Sequence, residues 1–198
     1  MARPPLSERR KAHTRREIAE SALQLFARDG YDRVTVEAIA EEAGASLRTF
    51  YRYFPSKDEV LSPIIVEGTE ELAGLIAGRP ARERLPIAVQ RAYEAMNPRA
   101  GPHGAQMLIR LLVDVPALRS RWLNALRLLE DTLVPIIQQR SRRSLTKEHA
   151  QLTAAAIVSA LRIALERAAK DGANEDPLES VADMLGRSLR YFSEGAGL

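Results

Sequence analysis

Residues 30–57 read Gly-Tyr-Asp-Arg-Val-Thr-Val-Glu-Ala-Ile-Ala-Glu-Glu-Ala-Gly-Ala-Ser-Leu-Arg-Thr-Phe-Tyr-Arg-Tyr-Phe-Pro-Ser-Lys. Thr35 is placed to cap a short helix, with Glu37 in its first turn, where a carboxylate suits the positive end of the helix dipole. Val36, Ile39, Ala40 and Ala43 fall on one face of that helix. Gly44 ends it in a backbone conformation that glycine adopts without strain. Ser46 caps the next helix. With Leu47 at zero on a wheel of about 100° per residue, Phe50 and Phe54 lie within ~60° of it, and the three are expected to form an inward seam. Arg48, Thr49 and Arg52 fall on the opposite side, and Tyr51 and Tyr53 flank. Two short helices joined by a tight turn, the second displaying arginines, is the layout of a helix-turn-helix whose second helix enters the DNA major groove.

The residue types suit that task. Arg48 and Arg52 can each fork onto guanine O6 and N7, and Thr49 can meet a thymine methyl or a phosphate. Thr35, Ser46, Tyr51, Tyr53 and Lys57 suit phosphate oxygens. Ser56, with Glu59 three residues on, reads as the capping box of a fourth helix, which puts Lys57 in a first turn whose N–H groups favour an anion. A solvated face or plain packing would account for any one of these residues alone. Their agreement with the caps, with small Ala40 at the helix crossing and with Gly44 at the turn favours a reading head.

Charge points the same way. Residues 1–57 carry 11 Lys or Arg against 8 Asp or Glu, while residues 58–198 carry 18 of each, so the whole excess of +3 lies with the helix-turn-helix. Arg3, Arg9, Arg10, Lys11, Arg15 and Arg16 face only Glu8 before position 17. This is expected to be a basic arm for phosphates or the minor groove, or else a solvated terminus. No run of ~18 apolar residues spans a membrane, and the start lacks the apolar core of a secretory signal. Cysteine is absent, which excludes disulfides and thiolate metal sites and fits a reducing cytoplasm. A bacterial, cytoplasmic protein is expected.

Outward from the head, Ile18, Ala22, Leu25 and Phe26 recur at helical spacing and Gly30 stops that helix. The fourth helix runs from Ser56 towards Gly78 and Pro80, with Pro63 expected to kink it. Five further helical stretches follow, roughly 81–96, 103–114, 116–142, 146–171 and 177–193. They are divided by Asn97 to Pro102, by Pro116, by Ser141 to Ser144 and by Gly172-Ala173-Asn174, and Pro135 is expected to bend the long third stretch. No segment alternates like a strand. The fold class is all-α, about nine helices. Residues 1–60 form a DNA-binding domain, and 61–198 a larger effector-binding and dimerisation domain.

Three segments, Ala22 to Tyr31, Val34 to Gly44 and Thr49 to Leu61, resemble the amino-terminal domain of tetracycline-repressor (TetR) family regulators over roughly residues 12–61. The resemblance implies three helices forming the head and a fourth joining it to an all-α effector domain. It also implies a homodimer, usually a repressor, that leaves a double-stranded operator when a small molecule binds. By motif position Thr35, Ser46, Arg48, Thr49, Tyr51, Arg52, Tyr53 and Lys57 take over the DNA contacts. Arg52-Tyr53 departs from the tyrosine-histidine pair of many members, which bears on base preference. Val113 to Leu123, followed by a long helix, resembles the subgroup with an acyl-CoA-like ligand domain.

One short helix reads only a few base pairs, so two symmetric copies are needed. Their seam is expected on the last two stretches, at Ala155, Ala156, Val158, Ser159, Ile163 and Ala164, and at Leu178, Val181, Leu185, Leu189 and Phe192. The alternative is that these stripes are internal core. Candidate ligand-pocket residues are Tyr93, Met96, Met107, Arg110, Leu111, Trp122, Leu126, Leu129 and Glu130, with Arg162 and Glu166. Arg110 and Arg162 are each either a ligand anchor or half of an ion pair. His103 is expected in a loop, and three scattered histidines make a metal site poor, so no cofactor is expected. An enzyme built on Glu130, Glu166, His103 or His149 would lack any nucleophile elbow or phosphate loop. A non-specific DNA binder would not need outward Arg48, Thr49 and Arg52. An activator remains compatible with the same residues.

Overall fold

The computed structural model describes residues 5–96, 101–141, 145–170 and 177–193, with side chains from 104 in the sixth helix and from 179 to 192 in the last. Among these residues there are nine α-helices and no strand. Nothing breaks the pattern between Leu6 and Asp29, so α1 (Leu6–Asp29) is one helix of 24 residues. The basic segment 9–16 is therefore its first turns rather than a free arm, and Arg3 lies outside the described residues. Ile18, Ala22, Leu25 and Phe26 are buried, as their spacing predicts. Gly30, with φ 85° and ψ 145°, reverses the chain in a region that side-chain-bearing residues rarely occupy.

α2 (Val36–Glu42) and α3 (Leu47–Tyr53) both carry the predicted caps. The Ala38 N–H donates to Thr35 Oγ1 at 3.2 Å, and the Thr49 N–H donates to Ser46 Oγ at 3.1 Å. Gly44 turns the chain at φ 61°, and the Ala45 N–H closes the turn on the Ala40 carbonyl at 2.8 Å. Ala40 is buried at the crossing of the two helices.

The next element differs from expectation. Ser56 makes no capping bond, and Lys57–Glu59 forms a single 3-10 turn. Glu59 pairs instead with Arg121 at 2.8 Å. α4 (Ser62–Gly78) starts after Leu61, with Pro63 in its first turn, where a missing N–H costs nothing. Pro63 therefore opens the helix and does not kink it.

The body is completed by α5 (Leu85–Glu94), α6 (Gly101–Asp114), α7 (Pro116–Arg140), α8 (Lys147–Ala168) and α9 (Pro177–Ser193). α7 packs on α8, α4 and α6, and α9 packs on α5 and α8. α7 continues through Pro135 for 25 residues. At its far end Arg140 donates to the carbonyls of Ile76, Arg79, Pro80 and Glu83 at 2.7–3.3 Å. That ties the end of α7 to the last turn of α4 and to the segment that follows it. His103 lies in the first turn of α6, not in a loop. Residues 97–100, 142–144 and 171–176, where breaks were expected, lie outside the described residues.

The expected dimer stripes are corrected by their burial. Val181, Leu185 and Leu189 face inward against α5 and α8, and Val158 and Ala164 are likewise core. α8 is apolar on most of its circumference, so spacing alone did not separate its two faces. Ser159, Ile163 and Phe192 are exposed and Ala155 and Ala156 half-buried, while the Leu178 side chain lies outside the described ones. Leu152 and Tyr191, not singled out by sequence, stand exposed beside them in chain position, at 69% and 57%.

Candidate DNA-reading face and ligand cavity

α3 anchors itself through Phe50 and Phe54, whose exposure is 0% and 1% and whose rings lie 5.5 Å apart. Leu47 is not part of that seam. It is 40% exposed, because the buried side of the helix is centred between Phe50 and half-buried Tyr53 and not between Phe50 and Leu47. The outward face is thus Leu47, Arg48, Tyr51 and Arg52, with Tyr51 54% exposed. A wheel with its zero placed on Leu47 hid this residue from the sequence reading.

The flanks are pre-set by local bonds. The Arg52 guanidinium lies 4.8 Å over the Tyr53 ring and donates to its hydroxyl at 3.3 Å. Thr49 is half-buried, its hydroxyl sharing a hydrogen bond with Ser46 Oγ at 2.9 Å. Thr35 and Ser46, the two capping residues, are exposed. The Arg15 guanidinium stands 5.6 Å from the Phe54 ring, which brings α1's basic first turns to the same head.

Lys57 has a different position from the one expected. Its ammonium donates to the carbonyls of Tyr31 at 3.0 Å and Val34 at 3.1 Å and lies 4.3 Å from the centre of the Tyr31 ring. The Tyr31 hydroxyl donates to Asp58. Burial, followed by the Asp58 hydrogen bond, raises the phenol well above its ordinary value, so it stays a neutral donor. Because Lys57 sits in the 3-10 turn and not in α4, it clasps the α1–α2 loop and keeps one N–H for anything else.

A cavity of about 670 Å³ lies between α1, α4 and α6, with α5, α7 and α8 behind. Tyr93, Met96, Trp122 and Leu126, four of the candidate pocket residues, line it. Met107, Arg110 and Leu111 do not, because α6 turns its other side to the cavity through Ala105, Leu108, Ile109 and Leu112. Leu129 faces a separate hollow of about 100 Å³ beside Val66 and Thr69, and Glu130 lines neither. Arg162 and Glu166 are an ion pair at 2.9 Å, completed by Arg119 on Glu166 at 2.8 Å, and neither Arg162 nor Glu166 lines the cavity.

Sequence reasoning missed the wall contributed by α1 and α4. Arg16 and Glu20 of α1 and Glu67 and Glu71 of α4 line the cavity, and Arg16 pairs with both Glu20, at 2.7 Å, and Glu67. The signal was faint: four charged residues at helical spacing read as solvated faces. These side chains are half-buried or exposed, whereas Tyr93, Trp122, Leu126 and Leu161 are buried, so the cavity has a polar end at α1 and α4 and an apolar depth. Among the described residues no cluster of His, Asp and Glu is arranged to hold a metal.

Residues 18–63 match the family model of bacterial regulatory proteins of the tetR family. The HTH-type transcriptional regulator TcmR of Streptomyces glaucescens is 36% identical over 69% of this chain, which spans 64% of that relative's length. The HTH-type transcriptional repressor AcnR of Corynebacterium diphtheriae is 25% identical over 94% of this chain and 97% of its own. Among solved structures, the TetR-family repressor FadR of Thermus thermophilus, in complex with lauroyl-CoA, aligns with a TM-score of 0.60 at 22% identity, over 93% of this chain and 95% of that one. The fatty acid degradation regulator FadR of Bacillus halodurans aligns with a TM-score of 0.62 at 19% identity, over 96% and 97%. The two structures share the fold. With the head's two caps, its turn glycine and its outward arginines in place, the chain belongs to the TetR family of bacterial regulatory proteins.

Proposed function

We propose that this protein is a transcriptional regulator that binds a pseudo-palindromic operator as a homodimer and is released by a small, largely apolar effector. The observation that carries the reading is the division of α3: Phe50 and Phe54 are fully sunk, while Leu47, Arg48, Tyr51 and Arg52 face out. Arg48 and Arg52 read guanine edges, Leu47 and Tyr51 offer apolar contact to thymine methyls, and Thr35, Ser46, Thr49 and Tyr53 hold phosphates. Lys57 contributes its remaining N–H and, above all, the shape of the head. Residues 1–60 act as the DNA-binding domain and 61–198 as the effector and dimerisation domain, with exposed Ile163 and Phe192, joined by Leu152 and Tyr191, as the apolar surface that a second copy covers. Repression agrees with the name of the AcnR relative.

The cavity supports the effector half of the reading. Its volume suits a small molecule. Its walls include α1, which packs on α2, and α4, which packs on α1, so a ligand touches the helices that carry the head. Binding shifts the dimer between two states only as far as ligand affinity differs between them. The protein acts in the cytoplasm and catalyses no reaction. Among the described residues no helix is long and apolar enough to cross a membrane.

The test is retention of duplex fragments from the chromosomal region around the protein's own gene, in excess random competitor. One or a few fragments retained, each protected over two half-sites, is the expected result. Uniform retention that falls with salt regardless of sequence would leave only backbone binding.

A further inference from the structure

The cavity's charges allow its ligand to be narrowed, on the reading just given that the cavity is the effector site. Three carboxylates on its wall, Glu20, Glu67 and Glu71, face one guanidinium, that of Arg16. That guanidinium is already shared between Glu20 and Glu67. The remaining polar lining, Gln24, Thr69 and the polar edges of Tyr93 and Trp122, is uncharged, and the Thr69 hydroxyl is spent on the Val66 carbonyl at 2.8 Å. Among the described residues the polar end of the cavity therefore has negative charge to spare and no cation left over for an anion.

We propose that the effector is a hydrophobic cation: an apolar body seated against Tyr93, Trp122 and Leu126, with an ammonium group among Glu20, Glu67 and Glu71. An anionic head, whether a carboxylate or the phosphates of an acyl thioester, meets three like charges there and is disfavoured. The same placement gives the release step a physical route. The ammonium competes with Arg16 for Glu67, and the Arg16–Glu67 bridge is a tie between α1 of the head and α4. A cation that takes Glu67 loosens that tie, whereas a neutral ligand of the same shape fills the depth and leaves the tie intact.

The experiment uses the full-length protein and three probes with one tail: decylammonium, 1-decanol and decanoate. Trp122 is the only tryptophan and lines the cavity, so its emission reports binding directly. Expected affinities fall in the order ammonium, alcohol, carboxylate, with about three- to tenfold between ammonium and alcohol, the range of a few partly screened ion pairs. Glu71→Gln, at an exposed position, should cut that preference, and Glu67→Gln should cut it further. Decylammonium, but not decanol, should weaken operator binding. Equal affinity for all three heads, or tightest binding of decanoate, overturns the charge inference and leaves the cavity as an effector site. No response of Trp122 to any of the three overturns the effector site as well.

Discussion

The Lys57 ammonium grips Tyr31 twice, donating to its carbonyl at 3.0 Å and standing 4.3 Å from the centre of its ring. The chain leaving α3 is thereby fastened to the loop between α1 and α2. A second strap runs from the Tyr31 hydroxyl to Asp58. Lys57→Ala should cost ~1–3 kcal/mol of folding stability, the usual range for losing a charge-assisted hydrogen-bond donor, and should weaken binding to every DNA sequence alike. Arg48→Ala, on the exposed face, should change stability by less than ~0.5 kcal/mol. Denaturant unfolding of the two variants separates them; equal stability would mean that Lys57 serves DNA alone.

Arg52→Ala should relax base preference at one position of each half-site and cost ~1–3 kcal/mol on the operator. The stacking of Arg52 on Tyr53 pre-orients the guanidinium, so Tyr53→Phe, which keeps the ring and removes the hydroxyl, should cost less. Binding to the operator and to single-base variants reads both effects. A loss from Arg52→Ala that is the same on every variant would assign that residue to the backbone.

Phe50→Ala should destabilise the head by ~3–5 kcal/mol, because the ring is completely buried and stacks near Phe54. Leu47→Ala should cost under ~1 kcal/mol and act on DNA affinity instead, since the side chain is 40% exposed. Thermal unfolding combined with operator titration distinguishes the two. A large stability loss at Leu47 would return it to the interior seam.

Most of the head was legible because its signals are local. Thr35 and Ser46 announce their caps by type and position, and Gly44 announces its turn by conformation. What escaped depends on partners far along the chain. Glu59, three residues after Ser56, has the spacing of a capping box, yet Arg121 of α7 claims it, and the helix starts at Ser62. Val181, Leu185 and Leu189 form a clear apolar stripe, but a stripe does not reveal whether its cover is the same chain or another. α6 is apolar on two sides, so Met107 and Leu111 looked as fit for the cavity as Leu108 and Leu112. The charged wall from α1 and α4 was invisible for the opposite reason, since exposed glutamates at helical spacing are what any solvated helix carries.

Glu83 gives the clearest pH signature. Its hydrogen bond from Arg79 and, next to that, the one from Arg91 outweigh burial and lower its carboxyl from 4.5 to about 2. A carboxyl lowered by folding stabilises the protein fully above its unfolded value, and that contribution is lost as pH falls from about 4.5 through 2. The wild-type advantage in thermal midpoint over Glu83→Gln should therefore be constant from pH 7 to 5 and shrink steadily below. An advantage that does not change on acidification would show that the Arg79–Glu83–Arg91 cluster is not formed in solution.

In the proposed function two outward-facing copies of α3 read base sequence together. Selection of bound duplexes from a random pool by the full-length protein tests it most directly. The expected result is enrichment of a single motif made of two inverted half-sites with guanines at fixed positions, about one helical turn or a small multiple apart. A pool that stays random after repeated rounds, or a motif without two-fold symmetry, would contradict it.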